Sequence, residues 1–157
     1  VAYIGKVRYL GYSFYVHKGE GRLRVHPKSV MKLKEKVREV TGRNNGMSIH
    51  TRKTRLNQII GGWVNYFKLA DMRNLIQSLD EWTRSRIRMV TWKRWKRVRT
   101  RFENLKRAGL GKETAWMWAN TRKGYWRTAH SPILCKALSN ERFKRAGYLS
   151  FVECYSA

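Results

Sequence analysis

Between Trp82 and Arg107 the sequence places eleven cations and a single acid, Glu103, among the aromatic residues Trp82, Trp92, Trp95 and Phe102. Arg84, Arg86, Arg88, Lys93, Arg94, Lys96, Arg97, Arg99 and Arg101 follow one another with no acid between them. A solvated helix face normally alternates acids with bases, so this run has the chemistry of a phosphate-binding surface. Arginine outnumbers lysine, which favours bidentate contacts to phosphate or guanine over diffuse attraction. On one continuous helix, Lys93, Arg97 and Arg101 recur at i, i+4 and i+8 and can follow one phosphate backbone. Trp95, Val98, Phe102 and Leu105 then form the opposite, apolar edge.

A second cluster combines Trp116, Trp118, Tyr125 and Trp126 with Arg122, Lys123 and Arg127. Its aromatic rings either fill a small core, the reading favoured here, or stack on unpaired bases. A third cationic group, Arg52, Lys53 and Arg55, precedes the pair Gly61-Gly62. Two glycines inside a helix cost roughly 1 kcal/mol each relative to alanine. Close helix packing or close approach of a phosphate backbone would offset that loss.

Self-sufficient catalysis has little support. The chain has only two aspartates, Asp71 and Asp80, nine positions apart, which does not make a two-metal carboxylate site. His17, His26, His50 and His130 are scattered, and there is no Ser-His-Asp order, P-loop or G-x-G-x-x-G segment. Cys135 and Cys154 form neither a Cys-x-x-Cys pair nor a disulfide framework. A nuclease would need clustered carboxylates or histidines. No catalytic residue and no metal ligand is assigned.

The whole composition agrees with a polyanion partner. The 157 residues carry 35 Lys plus Arg against 10 Asp plus Glu, a formal charge of +25. Hydrophobic residues make up 42%, enough for a core, which separates the chain from basic disordered tails. The absence of a long apolar run argues against a membrane partner, and a soluble, reducing, cytoplasmic setting is expected. The chain begins at Val1 within a strand-like pattern, which reads as a piece of something longer.

The elements that must position these residues follow from periodicity. Residues 7–17 alternate, with Leu10, Tyr12, Phe14 and Val16 on one face, and Lys18-Gly19-Glu20-Gly21 turns them into a second alternating run, Arg22 to His26: a β-hairpin. Pro27 starts a helix whose Val30, Leu33, Val37 and Val40 recur every three or four residues up to Gly42. A second helix, from about Thr51 to Ala70, carries Leu56, Ile59, Ile60, Trp63, Val64 and Phe67 as its stripe, and a third begins near Asp71 with Met72, Leu75, Ile76, Leu79, Trp82, Ile87 and Val90. The cationic run extends this third helix as a rod. Short helices follow over Lys112 to Asn120, after the cap Ser131-Pro132, and from a capping Asn140 to Gly147, and Tyr148 to Val152 is expected to be extended. The fold class is mainly α: an N-terminal β-hairpin, a three-helix bundle and a small helical C-terminal unit.

The order of Tyr9-Leu10-Gly11-Tyr12-Ser13-Phe14-Tyr15, His26-Pro27-Lys28-Ser29, Gly61-Gly62-Trp63-Val64-Asn65-Tyr66-Phe67, and Gly124-Tyr125-Trp126-Arg127 with Ser131-Pro132-Ile133-Leu134 resembles the C-terminal part of a bacterial group II intron-encoded reverse transcriptase and maturase. The resemblance implies that residues 1–26 are the end of the palm, 27–97 the thumb or domain X, and 98–157 the DNA-binding D region. Leu10, Gly11 and Tyr12 match the hairpin that grips the primer strand. Group II intron RNA, an RNA template with its DNA primer, target DNA and the N-terminal fingers and palm of the same protein are the implied partners, in a ribonucleoprotein that serves splicing and retroelement mobility. The palm's Tyr-Ala-Asp-Asp-type carboxylates are not in this sequence. It is therefore expected not to polymerise DNA alone, and the magnesium of the parent polymerase has no place in it. The alternative from a different class is a stand-alone basic RNA-binding protein.

Overall fold

A computed structural model describes residues 8–157. The first seven residues, at the head of the expected hairpin, lie outside the described residues. The fold is mainly α, with a small antiparallel sheet before the helices. It comprises two compact units. Unit 1 contains the residues up to Val40, Met47–Asp80 and Leu149–Ala157, and unit 2 contains Thr41–Gly46 and Glu81–Tyr148.

In unit 1 the sheet has three strands, β1 (Arg8–Tyr9), β2 (Tyr12–His17) and β3 (Glu20–Val25), in the order β1-β2-β3. The alternating stretch 7–17 is thus not one strand. Leu10 and Gly11 form a two-residue turn between Tyr9 and Tyr12, both with positive φ (51° and 85°), as in the turns whose twist suits a hairpin. The turn inverts the odd-even parity, setting Tyr9 opposite Tyr12 and Arg8 opposite Ser13, but β1 is only two residues long, too short for the phase change to show in the sequence. Lys18-Gly19 repeats the geometry between His17 and Glu20.

Helix α1 (Pro27–Val40) begins where proline's fixed φ suits a first turn, and the side chain of His26 helps to cap it, Nδ1 accepting from the Lys28 N–H at 3.1 Å. It buries Leu33, Val37 and Val40. Helix α2 (Ile49–Tyr66) packs against α1 and buries Leu56, Ile60 and Val64, with Ser48 as its N-cap accepting from the Thr51 N–H at 3.1 Å. Helix α3 (Arg73–Arg94) contributes its first turns to this unit, where Met72, Ile76 and Leu79 are buried.

The C-terminal residues return to unit 1 as helix α9 (Phe151–Ser156), not as the expected extended segment. Ser150 caps it, and buried Asp80 accepts from Ser150 Oγ (2.6 Å), the Phe151 N–H (2.6 Å) and the Val152 N–H (3.1 Å). Fully buried Phe151 meets the Trp63 ring edge-on at 6.1 Å, and Leu149 N–H donates to Asn57 Oδ1. These partners are some 70 to 90 residues away in sequence, which is why local pattern does not predict the helix.

In unit 2, α3 continues to Arg94 and the helix then breaks. Helix α4 (Val98–Arg107) pairs with α5 (Lys112–Ala119), and α6 (Tyr125–Ala129), α7 (Pro132–Ala137) and α8 (Asn140–Arg145) follow. Ser131 caps α7 as expected, whereas α8 is capped by Ser139 and Asn140 is its first residue. The buried residues of this unit include Trp92, Leu105, Ala115, Ala119, Leu134, Leu138 and Phe143.

Candidate nucleic-acid interface

The break after Arg94 divides the expected cationic rod. Lys93, Arg97 and Arg101 do not lie on one helix face: Lys93 lies in the last turn of α3, Arg97 precedes α4 as its N-cap residue, and Arg101 points back. Arg101 Nε donates to Trp95 O at 2.7 Å and its Nη2 to Trp92 O at 3.4 Å, with the guanidinium 4.4 Å from the centre of the Trp92 ring. It satisfies carbonyls at the open end of α3, the groups that a helix terminus leaves without partners. Lys93 Nζ bonds Arg43 O at 2.7 Å and also Asn44 Oδ1.

Three further candidates turn inward. Arg88 is 7% exposed; its Nε donates to Leu138 O (2.9 Å), its Nη2 to Asn140 Oδ1 (3.1 Å), and it lies 5.3 Å from the centre of the Phe143 ring. Burial, foremost, pulls both Arg88 and Arg101 below the ordinary arginine value. Arg52, also buried, reaches Met47 O at 3.5 Å. Arg86 bonds Thr41 through Nε to Oγ1 (3.0 Å) and Nη2 to O (3.3 Å), and lies about 6 Å from the Trp82 and Trp126 rings. Hydrogen bonding and ring contact hold these cations in the fold. Arg84 and Lys53 are half-buried, whereas Arg55 is exposed.

Facing solvent in unit 2 are Arg94, Lys96, Arg97 and Arg99 around the helix break and Arg122, Lys123 and Arg127 beside α6. Lys106 and Arg107 in the last turn of α4 join them; the sequence analysis counts both in the cationic stretch without naming them as contact residues. None of the four at the break forms an ion pair among the described residues. The favoured core reading of the second aromatic cluster is overturned. Trp116 is 55% exposed, Met117 64% and Trp126 39%, while Trp118 and Tyr125 are half-buried. Trp92, from the cationic stretch, is instead the tryptophan buried in the interior, at 1% exposure. Cations stand beside half-buried rings of the same unit: Lys106 lies 4.9 Å from the Phe102 ring that exposed Trp116 meets edge-on, Lys123 5.0 Å from Trp118, and Arg43 5.4 Å from Tyr125. Rings and cations in this arrangement can take bases and phosphates together.

In unit 1 the Leu10-Gly11-Tyr12 turn is fastened to the end of α2. Tyr66 Oη donates to Leu10 O (2.8 Å), Tyr12 Oη donates to Tyr66 O (2.5 Å), and Gly11 O accepts from the His26 N–H and Ser29 Oγ, both at 2.9 Å. Leu10, a non-glycine residue in the left-handed region, is held there with its side chain 64% exposed beside exposed Tyr9.

Both aspartates are engaged in contacts within unit 1. Asp80 caps α9, and Asp71 accepts from Tyr15 Oη and Arg22, contacts that hold its carboxyl below the usual value. Among the described residues no group of three His, Cys, Asp or Glu side chains comes together as a metal-ion site. Nor is any helix among them long and apolar enough to cross a membrane.

A comparison with curated proteins returned no match. The family model described as the group II intron, maturase-specific domain matches residues 30–109, just over half of the chain, from α1 through the cationic stretch and α4. The chain therefore belongs to the group II intron maturase family, whose RNA partner is the intron.

Proposed function

We propose that this maturase chain holds group II intron RNA through the outward cations and exposed rings of unit 2, and that it takes part in splicing through that contact. The observation that carries the reading is the cluster Arg94, Lys96, Arg97 and Arg99, exposed and without acid partners among the described residues. Phosphate contacts of this kind give affinity, while unpaired bases on Trp116 and Trp126 add stacking. Residues 27–97 act as the thumb and 98–157 as the region that meets target DNA. The Leu10-Gly11-Tyr12 turn, rigidly tied to α2, serves as the grip on the primer strand of an RNA template. Fingers and palm of the same protein supply the magnesium-bound carboxylates for target-primed reverse transcription, in a cytoplasmic ribonucleoprotein. Replacing Arg94, Arg97 and Arg99 together with alanine tests the assignment. The slope of log affinity against log salt should fall by roughly one per lost phosphate contact, with the thermal midpoint unchanged. An unaltered slope would show that these arginines are merely solvated.

A further inference from the structure

Within unit 1 a groove of about 670 Å3 lies between α1 and α2. Leu33, Val40, Ile59, Trp63 and Phe67 give it apolar walls, and Lys32, Lys36 and Arg55 line it as well. These three cations are exposed and form no ion pair among the described residues; Glu39 is the acid in the lining. The volume is that of a small-ligand site.

Gly62 lines this groove in the interior of α2, where glycine costs roughly 1 kcal/mol relative to alanine. Internal packing does not require it, because a Cβ at this position would meet nothing within 4 Å. Its neighbour Gly61 differs, with Leu149 Cδ1 at 3.8 Å. The bare backbone at Gly62 instead keeps the groove open. A duplex backbone needs cations but no apolar cleft; a flat ring carrying a negative charge uses both.

We propose that the α1–α2 groove binds a single unstacked nucleotide, its base against the apolar wall and its phosphate at Lys32, Lys36 and Arg55. The source is either a free nucleotide or an unpaired residue of bound RNA, and only the second rests on the function proposed above.

The test uses the whole chain, labelled with 15N so that the tryptophan indole N–H signals are resolved, with the Trp63 signal assigned from its disappearance in Trp63→Phe. Adenosine monophosphate should shift the Trp63 signal to saturation, and inorganic phosphate at equal ionic strength should not. A single-stranded oligoribonucleotide that binds more tightly than the mononucleotide identifies RNA as the source, and the reverse order identifies the free nucleotide. Gly62→Leu should weaken whichever binds by roughly ten- to a hundredfold, about the loss of one stacked base. The same variant should leave affinity for an RNA duplex of equal length unchanged and should not lower the thermal midpoint. Lys36→Gln with Arg55→Gln, both on the surface, should weaken nucleotide binding without any change in folding. A Trp63 signal that ignores the nucleotide, or responds equally to phosphate, overturns the proposal, as does full affinity in both variants. Intron binding that persists alongside such a failure leaves the maturase reading standing. Nucleotide binding without any preference for intron RNA refutes that reading alone.

Discussion

Asp80 supplies the sharpest test of how the chain is held together. Its carboxylate is 3% exposed and takes three hydrogen bonds from residues about 70 positions later, two of them backbone N–H groups at the start of α9. Hydrogen bonds to a charged group contribute about 1.5–3 kcal/mol each, but they are not additive. In Asp80→Ala the Val152 N–H, on an exposed residue, can turn to water, whereas the N–H of Phe151, a residue with no exposure, is left without an acceptor. The expected cost is about 3–5 kcal/mol, the range for removing one partner of a buried charged network. Asp80→Asn keeps one acceptor oxygen and should cost about half as much. At about 2–4 °C per kcal/mol for a chain of this size, Asp80→Ala should lower the midpoint by roughly 6–20 °C. Urea unfolding measures the energy, and amide exchange of Phe151 and Val152 locates it. A midpoint within a degree of the parent, with both amides still protected, would refute the argument that this carboxylate fastens the C-terminal helix.

Three further outcomes follow from the geometry. Arg88→Ala and Arg101→Ala should each destabilise the chain by about 1.5–3 kcal/mol, as expected for lost charged hydrogen bonds, and shift the salt slope of RNA binding little; thermal melts and binding titrations separate the two effects. Gly11→Ala should cost more than about 1 kcal/mol, because alanine disfavours positive φ and its Cβ would stand 2.9 Å from Ser29 Oγ and 3.0 Å from the Phe67 ring; denaturant unfolding measures this. Burial, then Arg8, Lys28 and Arg24, hold His26 below the ordinary value of 6.5, so the unfolded chain binds its proton more readily. Stability from this source is present above that value and is lost as pH falls below it. Acid unfolding profiles should therefore be steeper for the parent than for His26→Gln, and identical profiles would contradict the assignment.

The helices of unit 1 were legible because each has one buried stripe. Leu33, Val37 and Val40 on α1, and Leu56, Ile60 and Val64 on α2, recur at helical spacing and are all buried. The Leu10-Gly11 turn was not legible, since the two residues of β1 are too few to show the inversion of alternation that the turn causes, and only Gly11 hinted at positive φ. The direction of a charge is harder to read than its sign. Arg88 and Arg99 look alike in the sequence, yet the acceptor that draws Arg88 inward, Leu138 O, lies 50 residues away. The same holds for aromatic residues: Trp92 and Trp116 both sit in helical patterns, and only tertiary packing decides which is buried and which is exposed. The end of α3 was missed because cations and aromatics continue across Trp95–Arg97 without a glycine or proline to mark the break.

The central claim, that this chain recognises intron RNA, is tested most directly by titrating the purified chain against a folded group II intron RNA and an unrelated structured RNA of equal length. The titrations should run from roughly 50 to 300 mM salt, wide enough to resolve a slope of about −0.7 to −0.9 per phosphate contact. The account predicts a preference for the intron that persists at the highest salt, where the phosphate contribution common to both RNAs is weakest. Equal affinities that collapse together as salt rises would contradict it and reduce the chain to a general phosphate grip.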